Sequence, residues 1–431
     1  GAHSGSGANL TSLPAAQITG TLPAISAANL TNVPAANITG TLPAIDGSNL
    51  TGIGGTDFIH AEQISVSGVT TSQAFIPLQG QLSNRNLVIN GDMRIAQRGT
   101  SSTSQGYQTC DRWRIDQDSG LTEACTQSQV TLSSSDTPYA SGFRHAFRIT
   151  NGNQTSQDAN DYIQLVQKIE AQDIDQCGWN STSTSDFITL QFWVKASIAQ
   201  TFYVKIEATD ASKTYTYPIA VTTSWQRLTT SIPGASGVTF NNDTGVGMRI
   251  CIIPYYGTSY TTSGHSINTW ITSDGANQTP DFATTWFSGN DATFDVTGVQ
   301  LEVGQVATPF EHKKFAEELS LCQRYFQRFQ SGGDHHQLAA AGEGSSSCKV
   351  GVPLAVPLRA SPTVACGSHR WYRSSSVGYT GSTDAPTSSN FNTTANSPVI
   401  NLLAGGHTTS NNEVGVWTPY NGNDLTFDSE L

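Results

Sequence analysis

Residues 187–194 read FITLQFWV and residues 202–206 read FYVKI, and in both stretches apolar side chains alternate with polar ones. A period of two is typical of a β-strand that buries one face. Similar short runs, separated by turn residues, recur over residues 86–311, where helical periodicity is absent. Eight to ten strands in this length predict a jelly-roll β-sandwich and an all-β fold class. Trp193 and Trp225 lie within apolar alternation, which predicts that both belong to the core.

The composition of the whole chain limits its function. Charged residues make up 13% of the 431 residues, and the formal net charge is −12. This balance argues against binding nucleic acid or an anionic membrane through a basic surface. No apolar run approaches the length of a membrane span, so no membrane insertion is predicted. The seven cysteines are odd in number, scattered and without a CxxC pair, which predicts buried, reduced thiols in a protein made in a cytoplasm.

A 20-residue repeat precedes the strand-rich region. It reads NLTSLPAAQITGTLPAISAA from residue 9, NLTNVPAANITGTLPAIDGS from residue 29, and NLTGI from residue 49. Recurring prolines exclude a continuous helix, and the repeat of a single chain buries too little apolar surface to offset its ordering entropy. We therefore predict a trimerising shaft, in which three copies of the chain intertwine as a homotrimer. The alternative is a disordered, low-complexity linker.

These patterns divide the chain into five segments. The prediction is a repeat shaft over residues 1–55, a neck over 56–85, a β-sandwich over 86–311, a connecting helix over 312–333, and a C-terminal β-rich tip over 334–431. The C-terminal end is expected to be the distal end of the molecule. Strands of the tip are predicted at residues 348–353, 362–366, 370–373, 398–403 and 413–417.

The helical segment shows the only clear helical period. Apolar side chains recur at spacings of three and four residues, which predicts a helix over residues 312–330. They are Phe315, Leu319, Cys322, Phe326 and Phe329. Two arrangements stay open: three copies of the helix meet around a trimer axis, or each helix lies on its own sandwich.

Two regions combine aromatic side chains with amides and charged groups. Sugars suit such regions, because their CH faces stack on aromatic rings and their hydroxyls bond to polar groups. The tip candidates are Arg370, Trp371, Tyr372, Arg373, Tyr379, Trp417, Tyr420 and Asn421, and the sandwich candidates are Tyr256, Tyr260 and Trp270. The alternative is that these aromatics belong to the core. Trp371 and Tyr372 are adjacent in a predicted strand, so at least one of them is expected to face outward. The two arginines would also suit acidic sugars or the phosphates of a lipopolysaccharide.

Several motifs then carry a resemblance to a known family. Residues 86–100, NLVINGDMRIAQRGT, resemble the N-L-L-x-N-G-D-F-x-x-x-Q-R-G-T opening of many tailed-phage fibre proteins. The resemblance continues in order with DRW at 111–113, FWVKA at 192–196, WQR at 225–227, VQLEVG at 299–304, ATPFE at 307–311 and CQRYF at 322–326. DSEL at 428–431 is similar to the ends of the same fibres. The family is that of receptor-binding tail fibres with a carbohydrate-binding-module-like jelly roll, closest in look to fibres of cyanobacterial and marine phages.

The resemblance implies a virion protein, assembled in the bacterial cytoplasm, that acts outside the cell. Its expected ligand is host cell-surface polysaccharide or lipopolysaccharide, such as O-antigen. Its expected link to the phage tail or baseplate is an N-terminal part preceding Gly1. No catalytic residue is predicted, because no nucleophile elbow, P-loop or HExxH motif occurs. The alternatives are a glycan-cleaving depolymerase, whose carboxylate pair the scattered acids neither reveal nor exclude, and a structural connector without receptor binding.

No cofactor is required by this reading. The carbohydrate-binding-module resemblance implies a possible structural calcium at Asp92 and Asp295, because such jelly rolls often link their first and last strands through this ion. The alternative is that Asp92 caps a turn and Asp295 faces solvent. His335 and His336 would share a metal only if three copies met near an axis, and the alternative is a solvated loop.

Overall fold

The structure, a computed structural model, describes residues 83–329, 338–373, 379–382, 386–388, 399–407, 409, 413–419 and 423–431. These residues belong to one compact unit, Phe75–Leu431. The predicted repeat shaft, and the neck as far as residue 82, lie outside the described residues. None of the described helices combines the length and the apolar character that a membrane crossing needs.

Two facing sheets form a β-sandwich. In chain order its elements are β1 (Ser101–Ser102), β2 (Trp113–Gln117), β3 (Thr126–Thr131), α1 (Thr137–Ala140), β4 (His145–Thr150), β5 (Tyr162–Glu170), α2 (Ala171–Asp175), β6 (Phe187–Ala196), β7 (Gln200–Ala208), β8 (Lys213–Val221), β9 (Gln226–Pro233), β10 (Val246–Tyr256), β11 (Trp270–Thr272) and β12 (Thr293–Val303). The first sheet has the order β1-β3-β4-β12-β6-β9, and the second has the order β11-β8-β7-β10-β5-β2.

The connections between the sheets confirm the jelly-roll prediction. All pairings within both sheets are antiparallel, and the chain changes sheet repeatedly as it passes from β4 to β5, β6, β7, β9 and β10. The described residues contain more strands than the eight to ten expected. The excess comes from short elements such as β1 and β11, with two and three residues. Such short strands carry no measurable alternation.

The core lies between the two sheets. On β6, Ile188, Leu190 and Val194 are fully buried, and on β7 so are Phe202 and Val204. The predicted alternation therefore holds, and each strand directs every second side chain inward. All seven cysteines are buried and none of them forms a disulfide bond, which confirms the predicted buried, reduced thiols.

The C-terminal region adds a short helix and two further sheets. Its elements are α3 (Phe315–Gln323), β13 (Phe326–Phe329), β14 (Leu338–Glu343), β15 (Ser347–Pro353), β16 (Thr363–Ala365), β17 (His369–Arg373), β18 (Tyr379–Ser382), β19 (Thr387–Ser388), β20 (Val399–Ala404), β21 (Val414–Pro419) and β22 (Leu425–Asp428). One sheet has the order β13-β22-β16 and the other the order β18-β17-β21-β14-β15-β20-β19. All five predicted strands of this region are present, with ends shifted by one or two residues.

The helix predicted over residues 312–330 is wrong in its second half. The helix ends at Gln323, and Phe326–Phe329 forms a strand that pairs with Leu425–Asp428. Pairing with a strand almost 100 residues later satisfies backbone groups that a local helix would have satisfied, and no local pattern reveals that partner. The helix lies on its own sandwich, because the Glu318 carboxylate is buried and accepts a hydrogen bond from the Asn90 backbone N–H.

Buried ion pairs attach the C-terminal region to the sandwich. We call this cluster the joint; it comprises Arg98, Arg112, Glu170, Arg324, Tyr325 and Glu430. Glu170 is fully buried at the end of β5, and its two oxygens accept hydrogen bonds from Arg324 Nε and Nη2 at 2.9 and 3.0 Å. Tyr325 Oη donates to the same carboxylate at 2.6 Å. Arg324 and Tyr325 of the CQRYF motif therefore hold the C-terminal region on the sandwich.

The last residues of the chain belong to the same cluster. Arg112 is buried, lies 3.5 Å from the centre of the Tyr325 ring, and pairs with Glu430. Arg98 contacts Asp428 and Glu430 at 3.0 and 3.4 Å. Residues 428–430 are thus held against the sandwich. Arg98 and Arg112 thus hold carboxylates that a free end would leave in water. That this end is distal to the shaft stays a prediction, because the shaft lies outside the described residues.

Candidate functional site

A cleft opens on the outer face of the second sheet, at the ends of β2, β5 and β10. Its volume is about 500 Å³. We call it the cleft, and its lining residues are Gln105, Arg114, Asp116, Tyr162, Gln164, Tyr256, Tyr260 and Gln278. Alternation places these strand residues outward, because their neighbours Ile115, Ile163 and Tyr255 point into the core.

Three tyrosines form the aromatic side of the cleft. The rings of Tyr162 and Tyr260 meet edge to face with centroids 5.6 Å apart, and those of Tyr256 and Tyr260 are also 5.6 Å apart. Tyr162 and Tyr260 are half-buried, whereas Tyr256 is 4% exposed. Tyr256 therefore supports the other two rings, which present surface to a ligand.

A chain of hydrogen bonds fixes the polar side of the cleft. Tyr256 Oη donates to Gln164 Oε1 at 2.6 Å, and Gln164 Nε2 donates to Asp116 Oδ2 at 3.3 Å. Arg114 Nε donates to the other oxygen of Asp116 at 2.7 Å. Burial raises the pKa of Tyr256 well above its ordinary value, so this hydroxyl stays a donor at every physiological pH. The polar groups are thus held in place before any ligand arrives.

Charged side chains continue from the cleft across the same face. Glu207 lies 2.7 Å from Lys205 Nζ and 2.8 Å from Arg249 Nη1. Burial by itself would raise the pKa of Glu207, but the two cations outweigh burial and lower it. A carboxylate held ionised in this way is a poor proton donor, so Glu207 does not suit the general-acid role that glycoside hydrolysis requires.

The three sandwich candidates separate in the structure. Tyr256 and Tyr260 line the cleft. Trp270 lies on β11, packs against Tyr215 with ring centroids 5.6 Å apart, and donates from Nε1 to the Pro233 carbonyl at 2.7 Å. It is not among the lining residues. Most residues of the cleft were not predicted from the sequence. The polar and aromatic side chains at the outward positions of DRWRID (111–116) and DYIQL (161–165) could have indicated them: Arg114, Asp116, Tyr162 and Gln164.

Two of the tip candidates are core residues. Trp371 and Trp417 are both 0% exposed, and they lie opposite each other on the paired strands β17 and β21. Trp417 lies within β21, and its Nε1 donates to His369 Nδ1 at 3.1 Å. Neither indole can stack on a sugar in this structure. Their prediction as glycan-binding residues is therefore wrong, because both indoles belong to the buried hydrophobic cluster that also contains Leu425 and Phe427.

The structure describes only some of the remaining tip candidates. Arg370, Tyr372 and Arg373 are half-buried on β17, and Tyr372 faces the side opposite to Trp371, as predicted. Arg370 Nη1 lies 3.5 Å from Tyr372 Oη. The Tyr379 side chain and residues Tyr420, Asn421, His335 and His336 lie outside the described residues.

Asp92 and Asp295 do not fit a shared calcium ion. Both oxygens of Asp295 accept from the Arg148 guanidinium, at 2.7 and 2.8 Å, and Lys195 Nζ lies 3.7 Å away. Asp92 pairs with Arg94 at 2.9 Å. Within the described part of the chain, no group of three His, Cys, Asp or Glu side chains is arranged to hold a metal. Arginines occupy the positions in which a cation would have to lie.

Two tryptophans assigned to the core lie on the outside of the first sheet. Trp193 and Trp225 are half-buried and pack against a small cluster around Phe143, separate from the main core. The neighbours Phe192 and Val194 fill the inward positions of β6. The core prediction was therefore wrong for both indoles. Trp193 is displaced because the inward positions of β6 are already occupied, and Trp225 precedes β9 and donates from Nε1 to Asp136 at 2.9 Å.

Comparison with known proteins adds solved structures of low similarity. No protein-family model matches the chain, and no curated protein matches it. A family 4 carbohydrate-binding module is 14% identical, with 50% of this chain and 99% of the module covered and a TM-score of 0.26. The family 11 carbohydrate-binding module of a cellulosomal cellulase of Clostridium thermocellum is 11% identical, with 50% and 98% covered and a TM-score of 0.23.

A phage protein is also among the matches. The enzymatically active domain of tailspike protein 4 of bacteriophage CBA120 is 11% identical over 51% of this chain, with a TM-score of 0.27. This chain spans only 21% of the length of that protein. At these TM-scores the matches carry no argument about function, and the description of the sandwich rests on its strand pairing.

Proposed function

We propose that the sandwich binds a glycan in the cleft without cleaving it, and that the chain is part of the receptor-binding tail fibre of a tailed phage. The observation that carries the binding proposal is the cleft itself. It combines three tyrosines, three glutamines and an Arg114–Asp116 pair in a volume of about 500 Å³. Aromatic faces for the CH groups of a sugar and fixed polar groups for its hydroxyls are the two features that sugar recognition needs.

The order of the cleft supports affinity. Tyr256, Gln164 and Asp116 are connected by hydrogen bonds, so little side-chain entropy remains to be lost when a ligand binds. The sites on three intertwined chains would act together, because a second site attaches at a high effective concentration once the first is bound. A weak single site then suffices for firm attachment to a surface that displays many copies of one glycan.

The phage role rests on the sequence motifs at residues 86–100, 111–113 and 322–326. The expected ligand is therefore host cell-surface polysaccharide or lipopolysaccharide. Binding without cleavage is favoured by the state of the nearest acids, because Asp116 is paired with Arg114 and Glu207 with two cations. A depolymerase would release reducing ends from host polysaccharide, and such release by the purified protein would overturn this part of the proposal.

A binding experiment with matched variants tests the cleft. The full chain is applied to an array of bacterial surface glycans, and affinity for the best ligand is measured by calorimetry. Tyr162→Ala and Tyr260→Ala should each weaken binding by about tenfold, because each removes a stacking surface. Tyr139→Ala is the control, since Tyr139 is also half-buried but packs under Arg144 beside the first sheet. Equal losses in all three variants, or no binding by the wild type, would contradict the proposal.

Two further measurements address the fibre role. Light scattering on the full chain should give the mass of three chains, and a monomeric mass would exclude the trimer. The purified protein should also compete with phage for adsorption to host cells. Absence of competition by a protein that does bind host glycan would favour a structural connector.

A further inference from the structure

Charged side chains occupy the outward positions of four neighbouring strands next to the cleft. We call this set the charged belt; it comprises Arg114, Asp116, Lys168, Lys205, Glu207 and Arg249. Arg249 lies directly opposite Lys168 on one side and Glu207 on the other. Two residues further along, the directly paired positions on β2, β5, β10 and β7 are Arg114, Val166, Cys251 and Lys205. The belt therefore continues the floor of the cleft, which Arg114 and Asp116 also line.

The belt contains four cations and two acids, although the whole chain carries 33 acidic and 21 basic residues. Both acids are shared. Glu207 contacts Lys205 and Arg249, and Asp116 contacts Arg114 at 2.7 Å and Arg249 at 3.8 Å. Lys168 Nζ donates to the terminal oxygen of Leu431, the last residue of the chain, at 2.6 Å. Among the side chains, cations therefore outnumber acids two to one at this place on an acidic protein.

The neighbouring cations affect the pKa of Lys168. Burial, followed by the nearby charges of Arg114 and Arg249, lowers the pKa of Lys168 to about 8. The two guanidinium groups lie on the strands on either side of Lys168, and their charges oppose that of its ammonium group. An additional anion at this position would relieve that repulsion.

Arg114 and Arg249 remain accessible to a ligand. Their side chains are 27% and 28% exposed, and both point at Asp116, whose side chain is 14% exposed. A neutral sugar that covered these groups would remove water from them without adding negative charge. An anionic sugar would remove the same water and supply charge-assisted hydrogen bonds to the two arginines.

We propose that the glycan bound in the cleft is anionic, with a carboxylate, sulfate or phosphate group placed over Arg114 and Arg249. This inference rests on the proposed function, and it names the ligand class of the same site. Tyr162 and Tyr260 contact the sugar rings, and the charged belt selects those glycans that carry an acidic group next to the stacked ring.

Matched pairs of glycans separate the inference from the function on which it rests. The full chain is tested by calorimetry against oligogalacturonate and its methyl ester, against sulfated and unsulfated dextran oligosaccharides, and against the acidic and neutral glycans of the array. The acidic member of a pair should bind at least about tenfold more tightly in dilute buffer, and this advantage should shrink as salt is added. If the neutral glycan of a pair binds as tightly as the acidic one, or if salt leaves the advantage of the acidic glycan unchanged, the inference alone is overturned. Binding of no glycan in either class overturns the proposed function with it.

An arginine variant locates the effect. Arg249→Gln should lower the acidic-to-neutral affinity ratio by about tenfold, and Arg249→Lys should restore part of it. Arg144→Gln is the matched control, because Arg144 is exposed and lies beside the first sheet. An unchanged ratio in Arg249→Gln would overturn the assignment of the anion to this place. The salt dependence of the wild type gives an independent result if the variant does not fold.

Discussion

The joint and the cleft use the same chemical groups, arginines, carboxylates and tyrosines, but they differ in how far these groups are removed from water. In the joint, Glu170 and Arg112 are 0% and 1% exposed. In the cleft, the side chains of Arg114 and Asp116 are 27% and 14% exposed. Removing the partner of a buried charge costs several kcal/mol of stability, about 3–5, because the remaining charge is left without water or a counter-charge. A partly exposed charge can exchange its partner for water or for a ligand at little cost. The comparison thus separates residues that hold the chain together from residues that are free to bind.

The largest expected effect comes from two arginines that lie two residues apart, Arg112 in the joint and Arg114 in the cleft. Arg112→Leu should lower the free energy of unfolding by about 3–5 kcal/mol, because it leaves buried Glu430 and the Lys168 carbonyl without a main partner. Arg114→Leu should lower it by about 1 kcal/mol or less, because its ion pair is partly exposed. Urea denaturation of both variants measures the difference. A similar decrease in the free energy of unfolding for both variants would mean that burial of the charges does not distinguish the joint from the cleft.

Gly91 should give the next largest effect. It lies in the NGDM segment before the joint, where a Cβ would come within 2.0 Å of the Val299 carbonyl oxygen. Gly91→Ala should therefore destabilise the fold by about 1–3 kcal/mol or more, since backbone has to move. Gly264→Ala is the control, because a Cβ there meets nothing within 4 Å, and its effect should stay within about 1 kcal/mol. Thermal unfolding of both variants checks this, and equal shifts would contradict it.

The joint should also respond to acid. Burial opposes the charge of Glu170, but hydrogen bonds from Arg324 and Tyr325 outweigh burial and lower its pKa. A carboxyl group whose folded pKa lies below its unfolded pKa adds stability above the unfolded value, and that stability is lost as pH falls through the folded value. The stability difference between wild type and Glu170→Gln should therefore be full above about pH 5 and shrink below about pH 4. A difference that stays constant with pH would exclude this ionic contribution.

The smallest expected effect concerns coupling between the two regions. Glu170 and Tyr162 lie at opposite ends of β5, about 26 Å apart along the strand. Sites separated this far usually act independently, so Glu170→Gln should leave glycan affinity within about twofold of wild type at neutral pH. Calorimetry with the best ligand from the array tests this, with Tyr260→Ala as the variant that must lose affinity. A large loss in Glu170→Gln would show that the joint controls the cleft.

Much of the fold was predictable because its signal is local. The alternation in residues 187–194 and 202–206 predicted strands, and those strands form the sandwich with the expected inward positions. The five predicted strands of the C-terminal region are also present. The same alternation, applied more strictly, would have placed Trp193 outward, since Phe192 and Val194 already hold the inward positions of β6. That error came from treating a large indole as core without asking on which side of its strand it lies.

The candidate site was predictable only in part, because a cleft is made by strands that are distant in the chain. Tyr256 and Tyr260 were selected as a local aromatic group. Tyr162 and Asp116 join them only because β5 pairs with both β2 and β10. Trp371 and Trp417 show the converse. Each was a candidate for an exposed aromatic in the sequence, but both are buried in a cluster with residues from distant strands, such as Val350 and Phe427.

The sequence by itself determined the all-β character, the inward and outward sides of most strands, and the absence of disulfide bonds, because these depend on residue type and on neighbours within a few positions. Only the tertiary structure decided the rest. It ended the helix at Gln323 by pairing Phe326–Phe329 with β22, and it enclosed Glu170 and Arg112 in the joint. It also brought three tyrosines together beside the charged belt. The physical reason is that alternation states which way a side chain points, whereas burial depends on which distant strand covers that side.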